Sequence, residues 1–105
     1  MKTALERHGF ETASAADGEE GLEKARLCHP DLILMDVVMP GLNGFQATRQ
    51  LSRDPTTASI PIVMVTTKDQ ETDRIWGLRQ GAVDYLVKPV SENELVGKTR
   101  EVLGA

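Results

Sequence analysis

The runs Leu32-Ile33-Leu34-Met35 and Ile62-Val63-Met64-Val65 decide the fold of this 105-residue chain. Each is apolar at every position, bounded by Pro or Asp residues, and too short to be a helix. A strand that shows neither face to water reads this way, which marks a parallel sheet covered by helices on both sides. Val83 to Val87, interrupted by Asp84, reads as a more peripheral strand. Phe10 to Ala15, where Thr12 and Ser14 interrupt Phe10 and Ala13, reads as an edge strand.

Helical patterns lie between these runs. Asp17-Gly18 makes a turn into a helix from about Gly18 to Leu27, which places Leu22, Ala25 and Cys28 on one face. A second helix, from about Gly44 to Arg53, uses Phe45, Thr48 and Leu51, and Pro55 follows its end. A third, near Gln70 to Gln80, is expected to bury Ile75 and Leu78 and to stop at Gly81, a suitable left-handed cap. Ser91-Glu92-Asn93-Glu94 is a capping box opening a last helix with Leu95, Thr99, Val102 and Leu103 on its inner face. Lys2 to His8, ended by Gly9, reads as the tail of one more helix. Strict alternation with short loops predicts an α/β fold, a doubly wound parallel sheet with right-handed crossovers. In such sheets chemistry collects at the carboxyl ends of the strands.

Length and composition bound the function. Residues 1–105 suffice for a single domain, and 40% hydrophobic with 27% charged residues is ordinary for a globular protein. Twelve Lys and Arg against sixteen Asp and Glu leave a net charge of -4, which argues against a phosphate-backbone binder. One Trp, one Tyr and two Phe make no base-stacking platform, so no nucleic-acid partner is expected. There is no apolar run of the ~20 residues needed to cross a bilayer, and no membrane partner is expected. The opening MKTALERHGFE is charged and amphipathic, unlike a signal peptide, and the lone Cys28 has no internal partner. A cytoplasmic location is the expectation.

Three strand ends carry reactive groups: Asp36 after the first run, Thr66-Thr67 after the second, Lys88-Pro89 after the third. Taken singly, an Asp there is a turn or cap residue, a Thr a β-former, a Lys a solvated cation. Together they bring a carboxylate, a hydroxyl and an ammonium to one edge of the sheet. The motifs DLILMDVVMPGLNGF (31–45), PIVMVTTKD (61–69) and GAVDYLVKPV (81–90) resemble the receiver domain of two-component response regulators, the CheY-like family. The resemblance runs from residue 4 to residue 103. LNGFQATRQL (42–51) and the stretch 62–90 are similar to the twitching-motility regulators of type IV pilus systems within it.

That resemblance implies phosphoryl transfer from a histidine kinase to Asp36. Lys88 would offset charge on the phosphoryl oxygens, and the Thr66 hydroxyl and Thr67 backbone N–H would donate hydrogen bonds. It implies a cis peptide at Lys88-Pro89, and a tight loop after Asp36 using Gly41 and Gly44, though plain loop flexibility explains Gly41 as well. Thr66 and Tyr85 match the family's switch pair, with core packing the alternative for Tyr85. Trp76 falls on the family's output face, with an ordinary partly buried aromatic as the alternative reading. Such a protein is a phosphoryl acceptor, at most self-phosphorylating and autodephosphorylating, and acts through a downstream protein partner.

The chain departs from the family at its beginning. A complete receiver starts one strand earlier, and that strand ends in an acidic pair which, with the phosphoacceptor, holds Mg2+. Here Met1 falls inside the first helix, so the domain is expected to lack the usual first, central strand. Asp17, Glu19 and Glu20 read as capping or solvated groups and do not replace the pair. Asp36 and the Val38 carbonyl are then the only family-matched ligands, so metal binding is expected to be weak or absent and phosphotransfer impaired. The missing strand would leave the Leu32–Met35 edge unpaired, with a groove between the helix layers, closed by self-association such as a homodimer or by local rearrangement. The alternatives are a phosphorylation-independent pseudo-receiver that dimerises or binds a partner, and a hydrolase using Asp36, for which no second carboxylate is available.

Overall fold

Residues 2–104 are described by a computed structural model of the chain. The two apolar runs become the strands β1 (Ile33–Met35) and β2 (Ile62–Thr66), and the third becomes β3 (Asp84–Val87). All pairing is parallel, in the order β1-β2-β3, with Ile33 opposite Ile62 and Val63 opposite Asp84. The central strand β2 is buried along its whole length because helices cover both its faces. Its side chains part by a period of two. Ile62 and Met64 join Leu22, Ala25, Met35, Ala47, Leu51 and Tyr85 on one face. Val63 and Val65 pack with Leu86 on the other, where Leu34 and Val102 close over them.

Five helices are present among the described residues: α1 (Lys2–Arg7), α2 (Gly18–Cys28), α3 (Gly44–Arg53), α4 (Glu71–Gln80) and α5 (Glu92–Leu103). Their starts are set by side-chain caps. Asp17 accepts the Glu20 N–H at 2.9 Å, and Ser91 accepts the Glu94 N–H at 3.1 Å. The reciprocal capping box forms at α3, where Asn43 and Gln46 bond each other's backbone N–H. Gly81 ends α4 at φ 119°, as its position in the sequence suggests. Leu5 of α1 packs with Leu95 and Val96 of α5, and Arg7 reaches Glu92 at 2.8 Å.

Three expectations need correcting. Phe10 to Ala15 is not a strand: β1 pairs only with β2 among the described residues, so this segment has no ladder to join. Phe10 instead packs against the α1–α5 cluster and donates its N–H to the Leu5 carbonyl. Ile75 and Leu78 of α4 are exposed at 43% and 38%, and the buried residue of that helix is Gly77. Cys28 is exposed as well, lining with Gly21 and Ala25 the groove beside β1 rather than packing in the core.

The Thr48 hydroxyl of α3 is the one buried side-chain polar atom without a hydrogen-bond partner among the described residues. A desolvated, unbonded hydroxyl costs stability that an isosteric methyl does not. Thr48→Val is expected to stabilise the fold by about 1 kcal/mol. The measurement is a higher urea midpoint at unchanged slope; an unchanged or lower midpoint would show that the hydroxyl is satisfied in solution.

Candidate functional site

The parallel ladder brings the three strand ends to one edge. Asp36 leaves β1, Thr66 closes β2, and Lys88 follows β3, with its N–H donating to the Thr66 carbonyl at 2.8 Å. Across this edge the Lys88 Nζ donates to Asp36 Oδ2 at 2.8 Å. The Val38 N–H donates to Asp36 Oδ1 at 3.1 Å, and the fully buried Thr66 stands beside the same carboxylate. Burial pushes the Asp36 carboxyl up, but the Lys88 bond, the Val38 N–H, the Lys88 charge and the Thr66 hydroxyl together outweigh it. The carboxyl therefore lies below its ordinary value and is ionised at neutral pH, with one oxygen held by Lys88 and the other by the Val38 N–H.

The loop after Asp36 is shaped by two glycines for different reasons. Gly41 adopts φ 69°, a left-handed conformation that other residues adopt at a cost, so its presence is more than loop flexibility. Gly44, at the start of α3, donates its N–H to the Val37 carbonyl at 3.0 Å and sits directly on the Asp36 backbone. The capping box of α3 thus anchors the same loop that carries Asp36.

Tyr85 is 4% exposed and lies in the core beside Met64, its register partner on β2. Its hydroxyl donates to the Lys68 carbonyl at 2.8 Å, while the Lys68 N–H donates to Thr66 Oγ1 at 3.3 Å. Burial, then the charges of Asp73, Asp36 and Asp69, push its phenol up, which keeps it a neutral donor.

The structure therefore brings Asp36, Thr66 and Lys88 together and joins Tyr85 to Thr66 through Lys68. Thr67 is the exposed residue next in the chain, and among the described residues no hydrogen bond joins it to the other three. Val38, expected as a carbonyl ligand, meets Asp36 through its N–H. Lys88-Pro89 is cis, as expected. Trp76 is 48% exposed on α4. Lys68 had no sequence signal, since it acts through backbone groups that any residue carries.

Among the described residues no three His, Cys, Asp or Glu side chains come together. Magnesium favours six oxygens in near-ideal octahedral geometry, and this edge offers one carboxylate already engaged by an ammonium and an amide. The described donor set does not fit that ion.

The response regulator receiver domain family matches residues 1–100. The chain belongs to the response regulator receiver family. It is similar to the protein PilH of Pseudomonas aeruginosa, 58% identical over 103 residues that cover 98% of this chain and 85% of PilH. The structure of Vibrio cholerae chemotaxis protein CheY4 superposes with a TM-score of 0.90 at 33% identity, covering 96% of this chain and 84% of that one. The receiver domain of sensor histidine kinase PA1611 from Pseudomonas aeruginosa gives 0.90 at 31% identity, covering 99% and 85%, and holds a magnesium ion in its active-site cleft. This receiver is a module of two-component signalling with a CheY-like parallel α/β fold, close to PilH. Receivers are signal transducers that work with histidine kinases and downstream partners. Among the described residues no helix is long and apolar enough to cross a membrane.

Proposed function

We propose that residues 1–105 act as one cytoplasmic receiver unit in which Asp36 accepts a phosphoryl group from a phosphohistidine of a histidine kinase. A carboxylate oxygen of Asp36 attacks phosphorus, the P–N bond breaks, and its electron pair leaves on the imidazole nitrogen, which takes up a proton. Lys88 offsets the charge on the phosphoryl oxygens, and the Thr66 hydroxyl and Thr67 N–H donate to them. The observation that carries this reading is the 2.8 Å contact between Lys88 Nζ and Asp36, made where three strands end. An ammonium already in place beside the nucleophile needs little rearrangement to meet the incoming charge. Thr66 and Tyr85 form the switch pair.

Transfer is slow in this reading, because metal binding is weak or absent where Asp36 is the only carboxylate that the described residues bring to this edge. Incubation with acetyl phosphate, followed by intact-mass measurement, is expected to show slow gain of one base-labile, acid-stable phosphate on the peptide containing Asp36. Phosphate on any other residue, or none after long incubation, overturns the assignment. Tight, saturable magnesium binding read by Trp76 fluorescence overturns the impairment.

A second reading, a phosphorylation-independent association module, is favoured by the open edge of β1. A groove of about 860 Å³ runs along it, between Leu32–Asp36 on one side and residues 10–15 on the other. Unpaired strand edges of apolar residues are association sites, and a second copy meeting β1 across a twofold axis would extend the sheet antiparallel. Sedimentation at micromolar concentration tests it: a dimer is expected, and a strict monomer rejects it.

A further inference from the structure

α4 is fastened to the body of the protein in an unusual way. Its residues Ile75, Trp76 and Leu78 are all more than a third exposed, and its N-cap residue Gln70 makes no side-chain cap bond. Its buried residue is Gly77. A Cβ placed on Gly77 would lie 2.7 Å from Met64 Sδ and 3.1 and 3.2 Å from the Cδ2 and Cε2 atoms of the Tyr85 ring. Met64 has no exposed surface, so the end of its flexible side chain has to be accommodated again within the packed core. The Tyr85 ring must give way too, by a few tenths of an ångström, and rotation out of the core is the route open to it.

The ring leads back to the phosphoryl edge. The Tyr85 hydroxyl holds the Lys68 carbonyl at 2.8 Å, and the Lys68 N–H is held by Thr66 Oγ1 at 3.3 Å. Lys68 is thus clasped on both sides. Because Thr66 Oγ1 accepts from Lys68, its own O–H is left to donate toward Asp36. We infer that Gly77 is a positioning residue: by bringing the α4 backbone against the Tyr85 ring it holds the ring inward, and through Lys68 sets the Thr66 hydroxyl beside Asp36. Its functional consequence rests on Asp36 being the phosphoacceptor, as proposed above. The placement of the ring does not.

The chain has one tyrosine, so a ¹³C-tyrosine label gives a single ring environment to follow. In unphosphorylated Gly77→Ala that ring signal is expected to move toward the position of a solvated tyrosine, with the helical circular dichroism retained. Phosphoprotein half-life is expected to change by about threefold or more, in the range of couplings carried by packed side chains. In a Tyr85→Phe background, which keeps the ring and removes the hydroxyl, Gly77→Ala is expected to leave the half-life unchanged. If Gly77→Ala alone does not fold, adding Met64→Val removes the sulfur it meets and gives a folded protein for the same readings. A ring signal that stays in place overturns the inference, and so does an equal half-life change with and without the hydroxyl. Failure of the phosphoacceptor reading is told apart because wild type then gains no phosphate that Asp36→Asn abolishes, while the ring measurement still stands.

Discussion

Gly44→Ala is expected to destabilise the fold by about 3 kcal/mol, at the upper end of what overpacking usually costs. The size follows from what the new methyl would meet. An ideal Cβ on Gly44 falls 2.1 Å from the Asp36 carbonyl oxygen, 2.7 Å from Val37 Cα and 2.8 Å from the Asp36 carbonyl carbon. These are backbone atoms, which have no rotamer to escape into. Either the first turn of α3 withdraws and strains the Asn43–Gln46 capping box, or the Asp36 loop shifts and pulls the carboxylate from Lys88. For a domain of this size the melting temperature should fall by about 15 °C. Gly41→Ala is the internal control. Its positive φ is strained by a side chain, yet a Cβ there meets nothing within 4 Å, so its cost should be only about 1 kcal/mol. Equal losses at the two positions would mean that close approach to Asp36 is not what Gly44 provides.

The contrast between those glycines also shows what a sequence can reveal. Both stand in the motif after Asp36, but only coordinates separate a conformational need from a steric one. The strands β1 and β2 were legible because a short all-apolar run has few other uses, and β3 because its apolar residues bracket a single Asp84. The site was legible for the same reason: parallel strands deliver their carboxyl ends to one edge, so Asp36, Thr66 and Lys88 had to converge once the strands were right. Phe10 to Ala15 shows where local pattern stops. Strand propensity is realised through a partner, and without a neighbouring ladder the segment forms no strand while Phe10 finds the α1–α5 cluster. In α4 the periodicity pointed to Ile75 and Leu78, whereas the contact is made by Gly77, which adds nothing to an apolar pattern. The Lys68 clasp was invisible too, since Tyr85 and Thr66 grip only the main-chain groups of Lys68.

Lys88→Met, which keeps most of the stem and removes the charge, is expected to slow phosphorylation of Asp36 on the order of 10²-fold, as loss of one preorganised charge stabiliser does elsewhere. It should also leave a signature that needs no phosphoryl donor. In the wild type, burial raises the Asp36 carboxyl while the Lys88 bond and charge, with Val38 and Thr66, bring it below its ordinary value. Without Lys88 burial is opposed only by Val38 and Thr66, so the carboxyl should titrate higher, as read by ¹³C NMR. The sign for stability follows. A carboxyl whose folded pKa is depressed stabilises the fold above the ordinary carboxylate range, and that contribution is lost as pH falls through the folded value. Lys88→Met should therefore cost more stability at pH 7 than at a pH below the folded Asp36 titration, where the wild-type pair is itself protonated apart. If the urea midpoints of the two proteins differ equally at both pH values, the ion pair with Asp36 is not what the substitution takes from the fold. A large drop in phosphorylation alongside that equal difference would mean that the ammonium meets the phosphoryl group without first being held by Asp36. The preformed contact would then be no guide to the chemistry.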